Sequence, residues 1–285
     1  MHFCHAVRAC IFFINWHLMT LFTFSSCAES KMHCYQYIDP RTNYVSNVTW
    51  EPTVIPADLT LAYDTCPKTV AFAFLVQSGL PLKKVWQEYF DSCIPGYYMT
   101  LVHTQDPDAW VGEKFMRDTI VLPKELTVPD SSLRYGFEMV NATLNLMATA
   151  LQYTLEGSSC RPAWVHIVSD SCIPLTDCRS FQLMLASHSS RSFVRVDKLA
   201  TPYEIKTRTK GVNLPIESFR KNAPWVTLRA ADIDVFLAKR LELYAIWKDA
   251  FVPSEHYFSV NFVRENLPTW RRQLTFVSFG NHSLV

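Results

Sequence analysis

The chain has little glycine: only 7 of its 285 residues, and the two closest, Gly96 and Gly112, are still well separated. A Gly-x-Gly-x-x-Gly turn or a phosphate-binding P-loop needs several glycines within a few residues, because the backbone must come close to the phosphates. The sequence therefore excludes dinucleotide-dependent oxidoreductases and P-loop enzymes.

A strong charge of one sign is also absent: the chain has 27 Lys and Arg residues and 26 Asp and Glu residues, which gives a net charge of +1. Such a balance creates no general attraction to nucleic acid or anionic lipid, and we expect no nucleic-acid partner. With 285 residues, of which 49% are hydrophobic, the chain can bury one sizeable core or two small ones.

The nine cysteines include no Cys-x-x-Cys pair. This absence argues against a zinc ribbon or a thioredoxin-like site. Together with the amino-terminal segment described next, the cysteines suggest some disulfides formed in an oxidising compartment, with a connectivity that the sequence does not reveal. The alternative is that several of them are buried small side chains.

The amino terminus resembles a targeting segment. Residues 1–8 are weakly basic, and Ala9–Phe24 is mostly apolar but contains Asn15 and His17. This length suits a secretory signal over residues 1–28, whereas an uncleaved signal anchor that holds the protein in a membrane is the alternative. Both deliver the rest of the chain to the lumen, so we expect Golgi or endoplasmic reticulum membranes, or secretion.

Residues 29–68 are rich in proline and show no sustained periodicity, which indicates a stem or linker before the folded domain at 69–285. Three triplets match the glycosylation sequon, beginning at Asn47, Asn141 and Asn281. We expect Asn47, in the stem, to be the one that carries a glycan.

From residue 69 onward, short apolar runs alternate with helical patterns. The predicted strands are Val70–Val76, Tyr97–His103, Thr119–Leu122, Trp164–Val168, Arg191–Val196 and Pro224–Leu228. The predicted helices are Pro81–Phe90, a long helix from Asp130 or Ser131 to Leu155, Arg179–Ala186, Ala231–Tyr244 and Ser254–Arg264. This alternation predicts an α/β fold with a mostly parallel central sheet flanked by helices.

The central strand of this pattern, Trp164–Val168, is apolar except for His166, as a strand buried on both faces requires. It stops at the polar turn Ser169-Asp170-Ser171. Ligands of open α/β sheets collect at the carboxyl ends of such strands, so we expect this turn to line the binding cleft.

The stretch Ser-Asp-Ser-Cys-Ile-Pro-Leu after this strand resembles the Ser-Glu-Ser-Cys-Ile-Pro-Leu stretch of the core-2/I-branching glycosyltransferases (glycosyltransferase family 14), in particular their plant-type branch. Three further stretches agree with that family in the same order: Val70–Leu82, Tyr98–Gln105 and Ser254–Tyr257. Together they span about the last three quarters of the chain. The resemblance implies a single catalytic domain of the GT-A type.

The resemblance also implies a reaction. Members of this family invert the anomeric carbon without a metal cofactor, and the expected donor is UDP-N-acetylglucosamine, with a glycan or glycoprotein hydroxyl as acceptor. Glu255 falls on the family's catalytic glutamate. A general base must be ionised, and Ser254 as N-cap would place Glu255 in the first turn of a helix, where the helix dipole favours a carboxylate.

By the same resemblance, His103, Tyr135 and Asp170 are expected to bind the donor. Lys206, Arg208 and Trp225 are expected to bind the acceptor. The basic segment that contains Lys206 and Arg208, residues 198–221, is either a solvated loop or an acceptor-binding flap.

Two alternatives stay open. Asp106-Pro-Asp108 imitates the Asp-x-Asp pair with which many transferases hold a divalent metal, although the same triplet is ordinary turn chemistry. The family's cationic residues for the leaving diphosphate lie beyond a strand that resembles Leu274–Phe279, and Arg271 and Arg272 precede that strand. The chain is then either truncated or incomplete at the donor site, and a non-catalytic luminal protein that binds carbohydrate or nucleotide is the competing function.

Overall fold

The computed structural model describes residues 10–12, 34–39, 44–49, 69–77, 79–107, 110, 119–128, 136–152 and 161–277. The strands are β1 (Cys10–Phe12), β2 (Cys34–Asp39), β3 (Tyr44–Thr49), β4 (Val70–Leu75), β5 (Tyr98–His103), β6 (Ile120–Val121), β7 (Trp164–Ser169), β8 (Cys172–Ile173), β9 (Thr227–Arg229) and β10 (Thr275–Val277). The helices are α1 (Lys83–Asp91), α2 (Glu138–Gln152), α3 (Cys178–Ser187), α4 (Pro202–Arg208), α5 (Ala230–Ala238), α6 (Arg240–Trp247) and α7 (Tyr257–Arg264).

The main sheet has five strands in the order β6-β5-β4-β7-β9. Neighbours from β6 to β7 pair in parallel, and β9 is antiparallel to β7 at one edge. The predicted central strand is therefore an interior strand, as expected. Every residue of β4 and β7 is buried, which explains why both read as continuous apolar runs rather than as alternating patterns.

Helices cover both faces of this sheet, because successive side chains of a strand point to opposite faces. Ala71, Ala73 and Leu75 of β4 pack into the core that α2, α5, α6 and α7 share. Phe72 and Phe74 pack on the other face, against the aromatic side chains of α1 and α3. The expected mostly parallel sheet with flanking helices is confirmed.

Three strands end level with one another. In the register of the sheet, Leu75 of β4 lies opposite His103 of β5 on one side and Ser169 of β7 on the other. The segments that follow these residues therefore leave the same edge of the sheet together.

Smaller sheets complete the described backbone. β1 lies between β10 and β8, antiparallel to the first and parallel to the second. The unit formed by residues 15–65 contains the antiparallel hairpin of β2 and β3. The rest of the predicted targeting segment lies outside the described residues, and no helix within the described part is both long and apolar enough to cross a bilayer.

Some predicted elements are wrong. Arg191–Val196 forms no strand; only isolated bridges occur there, one between Ser192 and Thr269 and one between Phe193 and Thr227. The hydroxyl of Ser192 instead donates to the buried carboxylate of Asp232 at 2.5 Å. The hydroxyl of Thr269 lies within hydrogen-bond distance of the backbone carbonyls of Ser192 and Val194. Side-chain hydrogen bonds thus replace a regular ladder in this segment.

Helix boundaries also differ from the predictions. The long helix begins at Glu138. Two residues earlier, Gly136 has a φ of +91°, which is not a conformation of a right-handed helix. The expected helix Ala231–Tyr244 is two helices that meet at Lys239. Arg240, the first residue of the second helix, points its guanidinium to the side-chain oxygens of Asn141 and Asn145. Residues 198–221 contain helix α4 rather than only a loop.

One disulfide lies within the described residues. It joins Cys93, after the end of α1, to Cys178, at the start of α3. The alternative of a buried small side chain also occurs, because Cys172 is buried and its Sγ accepts the backbone N–H of Ser169 at 3.2 Å.

Candidate functional site

The turn after β7 places Asp170 at the edge of the sheet where three strands end. Its carboxylate accepts hydrogen bonds from the backbone N–H groups of Gln77 and Ser171. Burial raises the pKa of the Asp170 carboxyl above its usual range, and these hydrogen bonds act in the opposite direction. The carbonyl of Gln77 in turn accepts the backbone N–H of Gln105 at 3.1 Å, so Gln77 links Asp170 to the segment that follows β5.

His103 lies at the end of β5 and is completely buried. Its Nε2 accepts the backbone N–H of Val128 at 3.0 Å. Burial lowers the pKa of His103 to about 4, so the ring is neutral at pH 7. A contact with the donor would require the ring to become accessible, and this role stays a prediction. Gln77, His103, Ser169 and Asp170 are called the strand-end group below.

Glu255 lies in a short 3-10 turn, Pro253–Glu255, and not in the first turn of a helix. The predicted capping role of Ser254 is wrong: Ser254 is buried, helix α7 begins at Tyr257, and no side chain caps it. The reason is local, because Pro253 begins the 3-10 turn and its carbonyl accepts the backbone N–H of His256 at 2.8 Å. The helix-dipole argument for Glu255 therefore does not apply.

Two cations contact the Glu255 carboxylate in place of a helix terminus. Arg208, in the last turn of α4, donates its guanidinium to Glu255 Oε2. The ammonium of Lys221 is 3.6 Å from the same oxygen. The side chains of Arg208, Lys221 and Glu255 are 33%, 26% and 23% exposed, so they are partly shielded and still reachable from solvent.

A second carboxylate closes this arrangement. Glu204, in the first turn of α4, accepts a hydrogen bond from Lys221. Its other oxygen accepts the backbone N–H of Thr201 at 2.9 Å, while Thr201 Oγ1 accepts the N–H of Glu204 at 3.2 Å, which is a complete capping box. Burial raises the pKa of Glu204, but the hydrogen bonds from Lys221 and Thr201 outweigh it and lower that pKa to about 2. We call Glu204, Arg208, Lys221 and Glu255 the Glu255 cluster.

A short joining segment, residues 222–226, connects the two groups. At one end, the backbone N–H of Asn222 donates to the carbonyl of Glu255 at 2.8 Å. At the other end, the carbonyl of Val226 accepts the N–H of Ile167 at 3.0 Å. Because β9 is antiparallel to β7, the residues before it extend toward the carboxyl end of β7, where Asp170 lies. The Glu255 cluster and the strand-end group therefore occupy the same end of the sheet.

The expected acceptor residues are placed around this segment. Trp225 is half-buried within it and packs against the cores on both faces of the sheet. Arg208 belongs to the Glu255 cluster, and Lys206 lies exposed on the same helix. Arg272 stacks its guanidinium on Phe193 at 5.7 Å, and the next residue, Gln273, accepts the backbone N–H of Ala223 at 3.2 Å.

Tyr135 and Asp108 are not among the described residues. Asp106 is exposed, and its backbone N–H donates to Thr104 Oγ1 at 3.3 Å. Within the described part of the chain, no three metal-ligating side chains come together. Asp232 and Asp234, both in α5, pair with Arg229 and Arg161.

Comparison with known proteins identifies the family. A model of the core-2/I-branching enzymes matches residues 70–283, which is most of the chain and includes both groups. The chain belongs to the core-2/I-branching enzyme family. This is a glycosyltransferase family, and membership implies a nucleotide-sugar donor and a glycan acceptor. A search among curated proteins finds no match. The plant-type branch stays a prediction, because the match covers the family as a whole.

Sequence reasoning missed Glu204 and Lys221. Glu204 had a readable signal: Thr201-Pro202-Tyr203-Glu204 has the spacing of a capping box with proline in the first turn, which predicts the start of α4. Lys221 had none, because its contact with Glu255 joins segments 34 residues apart in sequence (255 minus 221) through tertiary packing.

Proposed function

We propose that the transferase inverts the anomeric carbon of a nucleotide-activated sugar, without a metal ion, and that Glu255 is the general base. The supporting observation is the position of Glu255 within a cluster of two cations at the end of the sheet where Asp170 lies. By family likeness, the proposed donor is UDP-N-acetylglucosamine and the proposed acceptor is a hydroxyl of a glycan or glycoprotein.

In the proposed step, the acceptor hydroxyl gives its proton to the Glu255 carboxylate as its oxygen attacks the anomeric carbon. The new carbon–oxygen bond forms on the face opposite the bond to the diphosphate, which breaks and leaves with its electron pair. A single displacement of this kind inverts the configuration of the sugar. General-base assistance typically accelerates such a step about 10²- to 10⁴-fold.

Arg208 supports this role in two ways. Its guanidinium donates to Glu255 Oε2 and so fixes one carboxylate oxygen in place. A guanidinium carries five N–H donors, so Arg208 can hold Glu255 and still donate to an oxygen of the acceptor. Lys206 and Trp225 are proposed to extend the acceptor site from α4 and from the joining segment.

The strand-end group is proposed to bind the nucleotide part of the donor. The Asp170 carboxylate is fixed by backbone N–H groups, and a carboxylate at a strand end is well suited to accept hydrogen bonds from ribose hydroxyls. Tyr135 and His103 are proposed as further donor residues. The absence of a metal from the mechanism is part of the proposal and rests on family likeness.

A screen of the secreted domain against arrays of nucleotide sugars and acceptors tests the activity. Release of UDP and formation of the inverted product in the presence of EDTA would support the proposal. Turnover that EDTA abolishes would favour a metal site that includes Asp106. Sugar binding without turnover for any donor would favour the non-catalytic alternative.

We also propose that the catalytic domain is luminal, in Golgi or endoplasmic reticulum membranes or secreted. The Cys93–Cys178 disulfide supports an oxidising compartment. Asn47 is the proposed glycan site, since the side chain of Asn141 is engaged by Arg240. Endoglycosidase should increase gel mobility, and Asn47→Gln but not Asn141→Gln should remove that change. Fractionation with the cytosol and no mobility change would contradict this location.

A further inference from the structure

His256 follows Glu255 directly and is completely buried. Its Nδ1 is 2.7 Å from the carbonyl oxygen of Arg220. A carbonyl can only accept, so Nδ1 carries the hydrogen of this bond. Burial lowers the pKa of His256 below its usual value, against the effects of the Arg220 carbonyl and the carboxylates of Glu255 and Glu204, so the ring is neutral at pH 7.

The ring is the dedicated donor to this carbonyl. Ser259 Oγ also lies near the Arg220 oxygen, at 3.2 Å, but it is closer to the carbonyl of His256, at 3.0 Å. One hydroxyl hydrogen serves only one of them at a time. Without the His256 ring, the Arg220 carbonyl would depend on this shared hydroxyl.

Hydrogen bonds hold the backbone on both sides of Lys221. On its amino side, His256 holds the Arg220 carbonyl, and on its carboxyl side the N–H of Asn222 donates to the Glu255 carbonyl. The peptides on both sides of Lys221 are therefore fixed to the turn that carries Glu255. These bonds fix the Cα of Lys221, and its ammonium lies 3.6 Å from the Glu255 carboxylate.

We propose that His256 is a positioning residue that holds Lys221 against Glu255 through the Arg220 carbonyl. The inference rests on the proposed role of Glu255 as the base. His256 itself does not touch the acceptor, because its side chain is closed off from solvent. Its contribution reaches the reaction through the position of the carboxylate.

Two amide substitutions separate this role from mere packing. In His256→Asn, the side-chain NH2 can occupy the position of Nδ1 and keep the donor. In His256→Gln, the amide lies one bond further out, near the position of Nε2, and the donor to Arg220 is lost. We expect His256→Gln to lower kcat about tenfold with little change in the KM for the donor, and His256→Asn to restore most of the loss.

A second readout does not depend on activity. The full chain is treated with an amine-acetylating reagent, and the modification of Lys221 relative to exposed Lys206 is measured by mass spectrometry. Lys221 should become several times more reactive in His256→Gln but not in His256→Asn, while thermal unfolding confirms that both variants fold. Equal Lys221 reactivity in wild type and both folded variants would overturn the inference.

The outcome for Glu255 is judged separately. If Glu255→Gln keeps full turnover, the proposed function fails, whereas the acetylation result still decides whether His256 positions Lys221. If Glu255→Gln is inactive and the two His256 variants do not differ in kcat, only the positioning role fails.

Discussion

The strand-end group and the Glu255 cluster lie at the same end of the sheet but are held in different ways. Backbone N–H groups and buried side chains fix the first, as the hydrogen bonds to Asp170 and His103 illustrate. Four charged side chains of opposite sign hold the second. The first arrangement is held largely by backbone groups, which fits its proposed role in binding the nucleotide. The second keeps charge beside the proposed base, and its side chains remain reachable from solvent.

This difference predicts that the two groups fail differently when they are changed. Substitution of Arg208 or Glu255 should lower turnover, substitutions in the strand-end group should weaken donor binding, and substitution of Glu204 should lower the stability of the fold. The following predictions test that separation, from the largest expected effect to the smallest.

Glu255→Gln should lower kcat about a hundredfold or more and leave donor affinity nearly unchanged. Glutamine keeps the size of the side chain but cannot accept the proton. Initial rates at saturating substrates and calorimetric UDP binding measure the two effects. A variant that keeps most of its turnover would make Glu255 a structural residue of its turn and direct the search for the base to Asp170.

Arg208→Met should lower kcat about tenfold, because the Glu255 carboxylate loses a charge-assisted hydrogen bond of roughly 1.5 kcal/mol. Lys210→Met is the matched control, since Lys210 is an exposed cation just beyond the same helix. Steady-state kinetics of both variants under the same conditions provide the test. Equal losses in the two would mean that Arg208 acts only through the general charge of this segment.

Asp170→Asn should raise the KM for the donor about fivefold and change kcat little, because an amide is a weaker acceptor for hydroxyls than a carboxylate. Asp106→Asn is the control, an exposed carboxylate that follows β5 at the same edge of the sheet. The comparison would break down if Asp170→Asn left the donor KM unchanged, or if Asp106→Asn had the larger effect and EDTA mimicked it.

Glu204→Gln should lower the stability of the fold modestly, by about 1.5 kcal/mol near neutral pH. Because the folded-state pKa of Glu204 is lowered to about 2 from 4.5, its stabilisation is present above pH 4.5 and is lost as the pH falls toward 2. The difference in melting temperature between wild type and Glu204→Gln should therefore shrink over this interval. A difference that stays constant from pH 6 to pH 3 would disagree with the ion pair to Lys221.

The central part of the fold was predictable from the sequence. The apolar runs of β4 and β7 and the polar turn at Asp170 are local patterns, and the interior position of β7 follows from burial on both faces. One prediction failed at Ser192, where a side-chain hydrogen bond to Asp232 competes with regular structure. Another failed at Ser254, where Pro253 begins a local 3-10 turn. The first case depends on a partner that lies far away in the sequence.

The sequence alone thus determined the sheet, the polar turn at Asp170, and the family resemblance that includes Glu255. Only the tertiary structure decided what surrounds Glu255. Arg208 and Lys221 reach its carboxylate from α4 and from the residues before the joining segment, and no periodicity or spacing encodes that approach. The physical reason is that a strand pattern reflects the burial of each residue by itself. An ion pair instead requires two segments that are distant in sequence to be held at the same place. Here the hydrogen bonds of His256 and Asn222 hold them.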